Sequence, residues 1–163
     1  MAPPKNRNLL YNRLTGLVSQ TKAQRKEPMA TREEQVLIIL DRMLANIGRE
    51  VLGAVTVATD GVVLAARVQD MSRLEQLGAI AAMVFGVTQR VSIDFKQGQL
   101  DETIIKANTG LLMVLPINQD SLIVLDLAEG ANLGMARLEV RNALQTLRRV
   151  LGIVAPQERA LGA

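Results

Sequence analysis

The 163-residue chain contains no cysteine, no histidine and no tryptophan, and aromatic residues make up only 2% of it. Without cysteine there is neither a disulfide nor a thiol nucleophile, and without histidine the imidazole base and the commonest zinc ligand are missing as well. Tyr11, Phe85 and Phe95 are too few to build a stacking platform for bases, so nucleic acid is not an expected partner. No glycine-rich loop ending in Gly-Lys-Ser/Thr occurs, which argues against the chain binding nucleotide phosphates itself. Asp60 reads as a turn residue and Asp126 as the end of a strand, and no acid, base and nucleophile cluster in the sequence. The expectation is therefore a protein without catalysis, metal or cofactor. Residues 1–31 lack an unbroken apolar core followed by a small-residue cleavage site, so a cytoplasmic location is expected.

What the chain does have is aliphatic residues and a segregated charge. Hydrophobic residues account for 48%, enough for one domain with an aliphatic core. The formal net charge is +3, yet residues 1–31 carry six basic residues against Glu27, a net of +5, which leaves −2 for the rest. The basicity thus belongs to an arm at residues 1–30, bounded by prolines and of polar, basic composition between them. Within it Leu10, Leu14, Leu17 and Val18 share a helical face. That face suits either a short helix docking on its own domain or a segment that folds on an acidic membrane surface or a protein partner. The domain proper is expected over residues 31–152, with a tail at 153–163.

The domain is organised around Met71 to Phe95, which reads as one long helix. Ser72 and Glu75 have the spacing of a capping box, and from Leu77 to Val87 no residue is charged. Eleven residues are too few for the ~20 a bilayer span requires, so an all-round apolar helix must be covered by protein. Leu74, Leu77, Ala81, Val84, Thr88 and Val91 form one stripe that suits a sheet. Gly78, Ala82 and Gly86 form a second, of small residues, that allows a backbone to come close. Either both stripes lie inside one subunit or one of them is a subunit interface.

On either side of this helix the pattern is regular. Thr31-Arg32-Glu33-Glu34 is a capping box that opens a helix of Val36, Leu40, Met43 and Ile47, closed by Gly48. Ala54 to Ala58 and Val62 to Ala65 flank Asp60-Gly61, a two-residue hairpin signal. Asp101 to Ala107 alternates, and Asn108-Thr109-Gly110 suits a three-residue loop with Gly110 in the left-handed region. Leu111 to Leu115 and Leu122 to Leu125 are apolar without alternation, as strands covered on both faces are. Pro116 belongs at a strand end. Asn132 caps a last helix with a stripe of Val140, Leu144, Leu147 and Leu151. Arg137, Arg141, Arg148 and Arg149 lie off that stripe, as a solvated face or a partner contact. The order helix, two strands, helix, three strands, helix predicts a three-layer α/β/α sandwich with a five-stranded antiparallel sheet.

This order resembles the roadblock family, the superfamily of dynein light chains and of bacterial and archaeal regulators of Ras-like GTPases. The resemblance rests on Gly53-Ala54-Val55-Thr56-Val57 leading into Thr59-Asp60-Gly61, the Ala- and Gly-rich helix after Ser72, the hairpin around Asn108-Thr109-Gly110, and Asn132-Leu133-Gly134-Met135-Ala136-Arg137. It covers about Thr31 to Leu151 and implies a profilin-like fold. It also implies a homodimer paired through the central helices and third strands, with Gly78, Ala82, Phe85, Gly86, Gln89, Thr103 and Ile105 at the interface. Family members serve as platforms and regulators of small Ras-like GTPases, commonly through the central-helix side. Here that side would offer Arg73, Gln76, Gln89 and Arg90, near the ends of the apolar run. The alternative is a structural scaffold or adaptor subunit with no GTPase partner. The resemblance says nothing of the arm at residues 1–30.

Overall fold

The first and last helices of the domain begin where the local chemistry tells them to. In the computed structural model, which describes residues 29–152, helix α1 spans Arg32–Ile47. Residues 1–28, nearly all of the basic arm, and the tail at 153–163 lie outside the described residues. The Thr31 hydroxyl accepts from the Glu34 N–H at 3.2 Å and the Glu34 carboxylate accepts from the Thr31 N–H at 2.7 Å, so the capping box forms as the spacing predicts. Gly48 ends the helix at a φ of 96°, a conformation glycine tolerates best. At the other end of the domain the Asn132 side chain accepts from the Met135 N–H at 3.0 Å and opens α3, Leu133–Gly152.

Between these helices lie β1 (Val51–Ala58), β2 (Val63–Val68), α2 (Leu74–Asp94), β3 (Thr103–Ala107), β4 (Gly110–Pro116) and β5 (Ser121–Ala128). The sheet runs β2-β1-β5-β4-β3 and every pairing is antiparallel. The last strand in sequence is therefore the middle one in space, which is why Leu122 to Leu125 is apolar on both sides. Ile123, Leu125 and Leu127 join α1 and α3 in one core with Leu40, Met43 and Leu147. Leu122 and Val124 join α2 in a second core with Val55, Val114, Ala81 and Phe85. Two helices cover one face and a single helix the other, giving the expected three-layer sandwich.

Three local expectations are corrected. Ser72 does not cap the central helix: Asp70 accepts from the Ser72 N–H at 2.9 Å, Met71–Arg73 forms a short 3₁₀ turn, and α2 starts at Leu74 without a side-chain cap. An aspartate two residues upstream wins because it can satisfy the amide of that tighter turn. The β1–β2 loop has three residues, since the Ala58 N–H donates to the Val62 carbonyl around Thr59-Asp60-Gly61, and Gly61 takes a φ of 96°. The β3–β4 loop has two, because Ala107 pairs with Gly110. Gly110 is not in the left-handed region; a Cβ there would lie 2.6 Å from the Leu127 carbonyl oxygen, so glycine serves close strand approach.

The arginines of α3 are also not simply solvated. Arg137 makes a two-pronged pair with Glu102, Arg141 pairs with Asp101 at 3.1 Å, and Arg148 donates to the Ile117 carbonyl at 2.7 Å. They strap the segment before β3 and the turn after β4 onto the helix. Arg67 does the same on the opposite edge, gripping Asp41 with both nitrogens at 2.6 and 3.0 Å; the hydrogen bond holds the Asp41 carboxyl below the usual carboxylate range.

Candidate functional site

The central helix α2 meets the sheet through Gly78, Ala81 and Phe85, and its opposite side is open in the single chain. Gly78 is where the β1–β2 turn rests on the helix: a Cβ there would lie 2.5 Å from the Gly61 carbonyl oxygen. Gly78 and Phe85, both expected at a subunit interface, are thus buried within their own fold. The small-residue stripe misleads because Gly78 faces a turn, whereas Gly86 has nothing within 4 Å of where a Cβ would stand. Ala82 and Gln89 are half-buried and Gly86 is exposed.

The outward side carries a stripe that the small residues mask in the sequence. Ile80, Met83, Val87 and Val91 recur at helical spacing with 41, 66, 59 and 50% of their surface exposed, which corrects the expected place of Val91 on the sheet-facing stripe. Ile93 in the last turn and Phe95 just past the end of the helix are exposed as well. By length and composition Met71–Asp94 is apolar enough to cross a membrane. Here one of its sides lies on the sheet, and the Thr88 and Thr103 hydroxyls bond at 3.0 Å, joining α2 to β3. Thr103 and Ile105 share the sheet face that α2 covers, since Ile104 between them joins the opposite core. Ile105 is exposed, and β3 is an outer strand with one side unpaired.

The four residues expected to meet a partner are placed at two ends. Arg73 and Gln76 flank the start of α2, whereas Gln89 and Arg90 lie about 20 Å further along it. Arg90 is already paired with Asp94 at 3.0 Å. Gln89 borders a cleft with Phe85, Gln99, Asn118 and Gln119. Arg73 borders another, of about 350 Å³, with Asp70, Leu74, Leu77 and Asp126. Sequence reasoning sees Asp126 only as a strand residue. Burial pushes its carboxyl above the ordinary carboxylate range, while hydrogen bonds from Ser72 hold that of Asp70 below it. The available signal is a lone acid in an otherwise apolar strand, Leu122-Ile123-Val124-Leu125-Asp126-Leu127.

Comparison with known proteins adds the family. The family model described as Roadblock/LC7 domain matches residues 40–126. Uncharacterized protein MJ1340 of Methanocaldococcus jannaschii is 27% identical over 112 residues, 68% of this chain and 97% of that protein. Uncharacterized protein MJ0714 of the same organism is 29% identical over 112 residues, covering 68% and 94%. Among solved structures, the gliding protein MglB of Thermus thermophilus gives a TM-score of 0.67 at 22% identity, covering 74% of this chain and 91% of that one. An MglB structure described as a tetrameric arrangement gives 0.68 at 22%, covering 74% and 90%. A Roadblock/LC7 domain from Streptomyces avermitilis gives 0.66 at 16%, covering 70% and 95%. These structures share the fold.

Proposed function

The chain belongs to the Roadblock/LC7 family, and from that premise we propose that it is a cytoplasmic, non-catalytic homodimeric platform that binds and regulates a small Ras-like GTPase. The observation that carries the reading is the stripe of Ile80, Met83, Val87 and Val91 lying beside the unpaired edge of β3. Fully burying one such side chain is worth about 1.5–3 kcal/mol, so four left in water favour a second covering layer. Two copies related by a two-fold axis supply it. Met83 and Val87 lie near the middle of α2, so antiparallel helices bring equivalent surfaces together, and the β3 edges can join across the same axis.

The same arrangement explains how separated contact residues form one surface. In an antiparallel helix pair the start of one helix lies beside the end of the other. Arg73 and Gln76 from one protomer and Gln89 and Arg90 from its partner then flank the pair, where a GTPase can read them. The proposed mode of regulation is positioning of the switch loops of the GTPase rather than an inserted arginine.

The test is binding and hydrolysis with the small GTPases of the source organism in GDP and GTP-analogue states. Nucleotide-dependent binding by the dimer, with no hydrolysis by the protein alone, supports the reading. Absence of binding in both states overturns it and reassigns the chain as a scaffold or adaptor subunit. Binding that survives Arg73→Ala and Gln76→Ala unchanged removes those residues from the contact.

A further inference from the structure

The cleft at the start of α2 contains a carboxylate with no cation to meet it. Asp126 stands in β5 between Gly53 of β1 and Leu112 of β4, on the face that α2 covers. No side chain among the described residues pairs with it, and burial is the cause of its shifted titration. Arg73, also on the lining, forms no ion pair with Asp126; the Asp70 carboxyl is held ionised first by hydrogen bonds from Ser72 and least by Arg73. Asp70 and Asp126 against Arg73 leave the lining with a net charge of −1. The walls are aliphatic, made by Leu52, Val68, Leu74, Leu77 and Val124. The strand neighbour of Asp126 is Gly53, where a Cβ would stand 2.9 Å from Val68 Cγ1, so the Val68 side chain packs over that backbone.

We propose that this cleft receives a lysine or arginine side chain presented by a partner protein, with its aliphatic stem against Leu74, Leu77 and Val68 and its cationic head on Asp126. Its volume of about 350 Å³ is at the small end of ligand sites, which run from about 300 to 1,000 Å³. That is room for one long side chain and too little for a folded segment. An aliphatic cleft that holds an unpaired carboxylate matches a side chain that carries its charge at the tip of a hydrocarbon stem. The cation also removes the cost of a half-buried, unpaired charge. The inference rests on the platform reading only for the origin of the side chain.

The experiment is a titration of the full-length, ¹⁵N-labelled protein with n-butylguanidinium, followed by amide shifts, with neutral n-butylurea as the control. Saturable shifts at Gly53, Leu74 and Asp126 with millimolar affinity are expected for the cation and not for the urea. Asp126→Asn should weaken binding about three- to fivefold, the worth of a partly solvated ion pair, and Arg73→Ala should strengthen it by removing a like charge from the rim. Shifts that never saturate, or an affinity unchanged in Asp126→Asn, overturn the site. Micromolar binding of the free cation overturns the source, because it identifies a small-molecule amine site instead. No GTPase enters the titration, so its failure and the failure of the platform reading are separate outcomes.

Discussion

The two faces of the sheet are covered by unequal means. On one, α1 and α3 lie side by side, and Leu40, Met113, Leu125 and Leu147 are fully excluded from water. On the other, α2 lies alone. A helix is about 10 Å wide with its side chains, whereas five strands spaced about 4.8 Å apart make a sheet roughly twice that. Two helices therefore close a five-stranded face and one does not. The difference teaches that the first face was built to be a core and the second to be shared. Residues of α2 line the clefts beside Asp126 and Gln89.

Mutations can break this contrast or sharpen it. The largest effect is expected in the closed layer, where Leu125→Ala should cost about 2–5 kcal/mol by leaving a cavity, read as a shifted urea midpoint. Next comes Gly78→Ala on the inner side of α2. Its methyl would meet the Gly61 carbonyl oxygen at 2.5 Å, a backbone atom that cannot swing away, so a loss of about 1–3 kcal/mol outweighs the gain in helix propensity. On the outer side, Met83→Glu should leave the fold of the single chain intact but raise the dimer dissociation constant at least about tenfold, ~1.4 kcal/mol, by placing like charges near the two-fold axis. Light scattering checks it, and a wild-type protein that is monomeric at tens of micromolar refutes the shared-face reading.

Two smaller effects probe the same contrast. Gly86→Ala should stabilise the fold by about 1 kcal/mol, opposite in sign to Gly78→Ala, because nothing stands near the new methyl. If the dimer weakens at the same time, the partner helix comes close at that point. The smallest effect belongs to Asp126→Asn. Burial raises the folded-state pKa of this acid above its unfolded value, so the protonated form is favoured in the fold and stability falls as pH rises through that interval. The substitution should therefore raise the thermal midpoint slightly at pH 7, and the difference should close as pH falls towards 4.

Most of the architecture is legible from local pattern. The capping box at Thr31 and Glu34, the stop at Gly48 and the cap at Asn132 depend on residues within four positions of one another, so their hydrogen bonds can be read from spacing. The doubly apolar runs at Leu111 to Leu115 and Leu122 to Leu125 announce strands covered on both sides. Where expectation fails, two nearby groups compete or a distant segment intervenes. Asp70 displaces Ser72 as the cap, and the carbonyls of Gly61 and Leu127 explain Gly78 and Gly110.

By itself, then, the amino-acid sequence determined the number and kind of elements, their order, and the aliphatic character of the core, because these follow from periodicity and from caps and turns made by neighbours in the chain. Only the tertiary structure decided which side of α2 is inner and which outer. A stripe of small residues looks the same whether a turn of the same chain or another molecule approaches it, and that depends on where residues far apart in sequence meet. The pairing of β1 with β5 was of the same kind, for it puts Asp126 opposite Gly53 and so makes an apolar cleft with a charge in its lining.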